Sequence, residues 1–338
     1  MLPKKIYYLL IGIMLLLGFF VSEWMSRKHT EYNEHNTLQT TLVSNETSNN
    51  SLLDAGEILF ASSSISEDNA VSCASCHSPQ NFFQDGLERA FVRGLFQKRN
   101  TPTLLNINRY DNFFWDGRAT NLAEQIRGPL FSRTELNSNP QIISRAIQET
   151  PQLKNLFDTS GKSSEEFVVE ALTYYIESLT TQQTKYSQYK VGSQKLSNSE
   201  LRGLEIFSGK AGCAECHMPP NFTDSEFHDS GLFRRKIIFE TVHTGEAVYE
   251  QLGTDRGRGD VVGGKENLYT FRTPSLYNVF LTAPYMHDGS LPTLDAVIDF
   301  YNRGGDIGKG QKLGLSEQEK EDLVSFLNTL TDIRYSSK

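Results

Sequence analysis

Two stretches far apart in the chain carry the same order of apolar and polar positions. Leu53-Asp-Ala-Gly-Glu-Ile-Leu-Phe60 and Leu201-Arg-Gly-Leu-Glu-Ile-Phe207 each read as a short amphipathic helix with a glycine four residues ahead of a phenylalanine. A longer helical stripe closes each half: Phe167, Val168, Ala171, Leu172, Ile176 and Leu179 in one, Leu323, Phe326, Leu327 and Leu330 in the other. Ser163 with Glu166, and Ser316 with Glu319, are capping boxes that start these helices. In such a box the serine and glutamate side chains accept from backbone N–H groups that the first turn leaves without partners. Ser197 with Glu200 marks a further helix start. Strand signals are few. The predicted fold is mainly α, a repeat of two similar units. Thr181 to Lys195 is polar, so the expected domains span 52–183 and 196–338. Long loops inside compact domains need something apolar to enclose.

The N-terminus departs from this pattern. Lys4 and Lys5 precede an apolar run from Ile6 to Val21, then Ser22, Glu23, Trp24 and Met25. A basic segment followed by an apolar one is an export signal. No small-residue cleavage site follows, and Trp24 suits a membrane interface. We read residues 1–25 as a retained anchor, with a cleaved signal peptide as the alternative. Residues 26–51 are rich in Asn, Thr, Ser and Glu and read as a flexible tether. Either reading puts the body outside the cytoplasmic membrane, in the periplasm.

Composition adds little except by exclusion. The 338 residues carry a net charge of -8, with 38% hydrophobic and 22% charged positions. That describes a globular body and disfavours nucleic acid as a partner.

The chemistry lies in the cysteines. Cys73, Cys76 and His77 form C-x-x-C-H, and Cys213, Cys216 and His217 repeat it, using all 4 cysteines of the chain. This is the attachment signature of c-type haem. A zinc site would need two ligand pairs around one ion, and a dithiol redox site needs no histidine. Two covalent haems account for both motifs, each just after one of the glycine-containing helices.

The remaining iron ligands are unevenly spread. Between His77 and His217 there is neither histidine nor methionine, so the first half holds no ordinary sixth ligand. His29 and His35 lie in the tether. The second half offers His228, His243, Met286, His287 and Tyr301, while Met218 directly follows the proximal His217. One open, reactive haem and one closed, electron-storing haem are expected.

Asn100-Thr-Pro-Thr-Leu-Leu-Asn106, Phe114-Trp-Asp-Gly-Arg-Ala119, Gln125 and Glu135 resemble the first domain of bacterial dihaem cytochrome c peroxidases. Thr273-Pro-Ser-Leu-Tyr-Asn278, Ala283-Pro-Tyr-Met-His-Asp-Gly-Ser290 and Tyr301-Asn-Arg-Gly-Gly305 resemble the second. The resemblance covers roughly Leu52 to Thr331 and implies particular roles. His77 would hold the peroxide-reacting haem and His217 the relay haem. Trp115 would lie between the haems, with Gln125 and Glu135 over the open face. Asn100, Thr282 and Pro284 would bind one Ca²⁺ through hard oxygen donors.

Two departures bear on the branch. Many members carry a capping histidine in the loop that here reads Phe91-Val-Arg-Gly-Leu-Phe-Gln-Lys-Arg-Asn100. They also use methionine on the second haem, where this chain has Tyr301, with Met286 as the rival ligand. Both departures resemble the MauG branch, which implies peroxide-driven oxidation of a partner protein. The alternatives are a peroxidase drawing electrons from a small cytochrome c or cupredoxin, and a non-enzymatic dihaem electron carrier. The stretch Phe233–Gly253 matches no motif.

Overall fold

The computed structural model describes residues 51–232, 236–243, 246–307 and 310–335. The expected anchor, residues 1–25, and nearly all of the tether lie outside them, as do His29 and His35. No helix among the described residues is long and apolar enough to cross a membrane.

The chain is mainly helical. In order it forms α1 (51–61), α2 (Cys73–Cys76), β1 (Phe91–Val92), β2 (Leu95–Phe96), α3 (Leu122–Phe131), α4 (Pro140–Glu149), α5 (Pro151–Ser160), α6 (Ser164–Ser178), α7 (Lys185–Lys190) and α8 (Asn198–Ser208). There follow β3 (Phe227–His228), β4 (Lys236–His243), β5 (Glu246–Thr254), α9 (Gly259–Val262), β6 (Phe271–Arg272), α10 (Leu294–Asn302) and α11 (Glu317–Asn328). The capping boxes at Ser163, Ser197 and Ser316 start α6, α8 and α11.

The repeated glycines have a direct cause. A Cβ on Gly56 would lie 2.1 Å from the Ala171 carbonyl oxygen, and one on Gly203 would lie 2.0 Å from that of Asp322. In each half the leading helix therefore crosses the closing helix with backbone against backbone. Four residues on, Phe60 and Phe207 are wholly buried at the centres of two apolar clusters. Phe60 packs on Phe83 and Tyr175, and Phe207 on Phe222 and Phe326. Such edge-on aromatic pairs add to the area they bury.

The polar stretch after Thr181 contributes more than a connection. It forms α7, whose Tyr186 packs edge-on against Phe222 and Phe326 in the second cluster. One apolar side chain among polar neighbours was too weak a signal to predict that. Within the stretch that matches no motif, residues 236–243 and 246–253 belong to two strands. β4 and β5 pair antiparallel from Lys236↔Thr254 to His243↔Glu246, and the β-branched run Ile237, Ile238, Thr241 and Val242 suits a ladder. His243 thus lies on a strand, and His228 lies on β3, where it pairs with Phe271.

The two clusters meet along a seam built from the repeated Thr-Pro segments. Asn106 and Asn278, equivalent positions in the repeat, both have left-handed φ, 63° and 62°. Their side-chain amides donate to the same buried acceptor, Thr181 Oγ1, at 2.7 and 2.8 Å. The N–H of Asn100 donates to the His287 carbonyl (2.9 Å) and that of Arg272 to the Trp115 carbonyl (2.8 Å). Arg99 ties the seam electrostatically, donating to Asp116 at 2.7 Å and to both oxygens of Asp255 at 2.7 and 2.9 Å.

Candidate functional site

Each C-x-x-C-H motif is a single tight turn. The N–H of His77 donates to the Cys73 carbonyl and that of His217 to the Cys213 carbonyl, both at 2.9 Å. Beyond the turns, Phe82, Phe83 and Phe222 adopt left-handed φ. This geometry turns the Phe83 and Phe222 carbonyls toward the histidines: His77 Nδ1 is 3.1 Å from Phe83 O, and His217 Nδ1 is 3.1 Å from Phe222 O. With Nδ1 as donor, Nε2 carries the lone pair that a metal needs. Burial holds both imidazoles below the usual range, which favours their neutral form. Burial also pushes the thiols up, Cys73 and Cys76 to about 12 and Cys213 to about 11. Thiols so disfavoured as thiolates do not suit dithiol exchange.

A cavity of about 780 Å³ adjoins the second motif, within the range of cofactor sites. His217, Tyr301, Met286, Tyr110, Trp115 and Gln125 all line it. The 42% of Tyr301 left accessible belongs to a residue of this lining. Burial, then the Cys213 and Cys216 thiols, push its phenol up to about 12. Cys213 and Cys216 line the same cavity as Tyr301. Met286, also on the lining, sits in a turn closed by the Gly289 N–H on its carbonyl. Met218 is exposed.

The other histidines are otherwise engaged. His287 stacks flat on Phe271, centroids 3.6 Å apart at 13°, and burial pushes it down to about 4. His228 Nε2 lies 2.8 Å from Asp224 Oδ2. With Cys216 this pair is the only cluster of metal-type donors among the described residues, but Cys216 belongs to the second haem motif.

α3 carries Gln125, on the lining of the same cavity, and the following loop carries Glu135. Gln125 Oε1 is buried and has no hydrogen-bond partner among the described residues. An orphaned buried acceptor is costly unless a donor comes to it, so this atom fits a site for a protic ligand. Glu135 is raised above the usual carboxylate range by burial, against the Ser132 hydrogen bond and the Arg118 charge. After burial, its charge contributes to raising both Cys73 and Cys76. Gly128 lets α3 approach the Trp-Asp-Gly turn, since a Cβ there would stand 2.9 Å from Phe114 Cζ. Trp115 donates its indole N–H to the Asn100 carbonyl at 3.0 Å.

Asn100, Thr282 and Pro284 line the same cavity. The Asn100 amide nitrogen donates to the Leu87 carbonyl at 2.9 Å. Among the described residues no donor is found on its Oδ1, which fits an oxygen kept for a hard cation.

Tyr110 and Arg272 were missed in the sequence. The Arg272 guanidinium lies 3.6 Å from the centroid of the Tyr110 ring, beside the cavity. No spacing rule joins residues so far apart. Arg93 was also missed, although Arg93-Gly94 between apolar pairs is a recognisable two-residue hairpin turn.

Residues 50–195 match the family model described as di-haem cytochrome c peroxidase. The methylamine utilization protein MauG of Methylorubrum extorquens is 34% identical over 81% of this chain and 76% of its own. The cytochrome-c peroxidase IdrP2 of Denitromonas iodatirespirans is 31% identical over 84% of this chain and 82% of its own. Among solved structures, a MauG-like protein associated with microbial copper homeostasis superposes with a TM-score of 0.73 at 28% identity, covering 84% of this chain and 90% of that one.

Proposed function

The chain belongs to the di-haem cytochrome c peroxidase family, oxidoreductases that use peroxide, and we propose that it works as a MauG-like member oxidising a partner protein. The haem held by Cys73, Cys76 and His77 would supply the iron that activates hydrogen peroxide, and the one held by Cys213, Cys216, His217 and Tyr301 a second redox centre.

The chain's own residues have separable tasks in this reading. Gln125 Oε1 accepts a hydrogen bond from the incoming peroxide. Glu135 takes its proton and returns it to the departing oxygen; a carboxyl whose pKa is raised toward neutrality suits both directions of transfer. Trp115 offers an indole between the two sites, so that electrons cross in shorter steps. Asn100 Oδ1 and the carbonyls of Thr282 and Pro284 hold one Ca²⁺ beside that route. The body works in the periplasm, tethered by residues 1–25.

The observation that carries the reading is Tyr301, which lines the same cavity as Cys213, Cys216, His217 and Trp115. An anionic oxygen ligand favours higher oxidation states more than a thioether does, which suits oxidising a protein at a distance. The second reading, peroxide removal with electrons from a small cytochrome c or cupredoxin, is consistent with the relatives named as peroxidases.

Electron paramagnetic resonance of the resting oxidised protein tests the proposal. One high-spin and one low-spin ferric signal are expected. Two low-spin signals would make the protein an electron carrier. Rapid peroxide consumption only when a reduced small cytochrome is added would favour the second reading.

A further inference from the structure

The β1–β2 hairpin is bound to the Glu135 loop by one side chain. Arg93 stands at the hairpin tip with φ 51°, followed by Gly94 at 78°, and the tight turn points its side chain back toward the body. Arg93 Nε donates to the Glu135 carbonyl at 2.6 Å, and Nη2 donates to the Leu136 carbonyl at 3.2 Å. Nη2 also donates to Asp68 Oδ1 at 2.9 Å, with Nη1 2.9 Å from Asp68 Oδ2 and 3.7 Å from Glu67. The guanidinium is mostly buried, with 18% of the side chain accessible. The Glu67 N–H donates to Leu136 O at 3.0 Å, so the carbonyls of the Glu135 loop are held from two directions.

We propose that Arg93 is a positioning residue for Glu135, fixing the backbone from which the carboxyl reaches the peroxide site. The inference rests on the reading of Glu135 as the proton-transfer group. Arg93 grips the carbonyl rather than the carboxylate, so it sets where the carboxyl stands and leaves its acidity alone. A planar fork serving two carbonyls and a carboxylate is a task that an ammonium cannot reproduce. The hairpin tip is thereby pinned beside Asp68.

A double-mutant cycle tests this, using the haem-loaded full chain and steady-state peroxide turnover. Glu135→Gln alone must lower kcat; an unchanged kcat would remove the reading on which the inference stands. Given that loss, Arg93→Ala is expected to lower kcat about ten- to a hundredfold, the scale of a misplaced catalytic group. KM should change little, and the position of the acidic limb of the pH profile should not change. Arg93→Lys should recover part of the rate. In the Glu135→Gln background Arg93→Ala should add nothing. An equal loss in both backgrounds, or a displaced pH limb, would overturn the proposal. If Arg93→Ala fails to fold, Asp68→Asn loosens the same guanidinium from the solvent side. It should then give a smaller loss of kcat, again only when Glu135 is present.

Discussion

The backbone N–H of Arg272 donates to the carbonyl of Trp115 at 2.8 Å, so Trp115 is held by the opposite half of the repeat. The Asn100 N–H repeats the contact on His287, and the two bonds relate equivalent positions of the repeat. Trp115 and His287 occupy corresponding places before Asp-Gly and both line the cavity, one as an indole bonded to the Asn100 carbonyl and the other as an imidazole stacked on Phe271. The scaffold is symmetric, and the chemistry it presents is not.

Tyr301 is expected to complete the second site. Tyr301→Phe or Tyr301→His should alter the low-spin ferric resonance, and Met286→Leu should leave it in place. A signal that moves only with Met286→Leu would identify methionine as the ligand.

Trp115→Phe should slow the spread of oxidising equivalents from the first haem to the second, read by stopped-flow absorbance after peroxide addition. An unchanged rate would leave Trp115 a packing residue.

Gly203→Ala should be among the most damaging single-carbon changes. The new Cβ would meet the Asp322 carbonyl at 2.0 Å, and backbone cannot swing aside as a side chain can. A loss of at least about 1–3 kcal/mol follows from overpacking, measurable as a lowered Tm with the haem spectrum intact.

Asp255 gives a pH dependence. Burial would raise its carboxyl, but the hydrogen bonds and charge of Arg99, the Gly257 N–H and Lys98 hold it well below the usual range. A folded-state pKa below the unfolded value of about 3.9 means stability present above that pH and lost as pH falls toward the folded value. Asp255→Asn should therefore cost on the order of 3 kcal/mol at neutral pH. Its deficit against the parent should shrink as pH drops below about 4 in denaturant titrations.

Thr181→Val removes one hydroxyl and leaves two buried amide donors, Asn106 Nδ2 and Asn278 Nδ2, without their acceptor. Each such donor costs about 1–3 kcal/mol, and Thr181→Ser should restore most of the loss.

Much of this was readable from local pattern. The capping boxes, the glycine–phenylalanine spacing and the two C-x-x-C-H motifs are rules of one or two helical turns, and the structure shows their physical basis in the Gly56 and Gly203 crossings. What escaped depends on the path of the whole chain. Tyr186 enters the second cluster from a polar segment. Arg93 meets Glu135 through a backbone carbonyl that any residue would supply. Thr181 is remote in sequence from both asparagines it serves, and its type alone suggests an exposed linker position.

That single hydroxyl bears on how the molecule could be divided. One oxygen answers the same request from both halves, and the chain supplies it only once, at the point where the halves join. Cut there, one half would keep the threonine and the other would carry a buried amide with nothing to receive it. The two halves look like copies, but they are not interchangeable modules, and neither is complete without its twin.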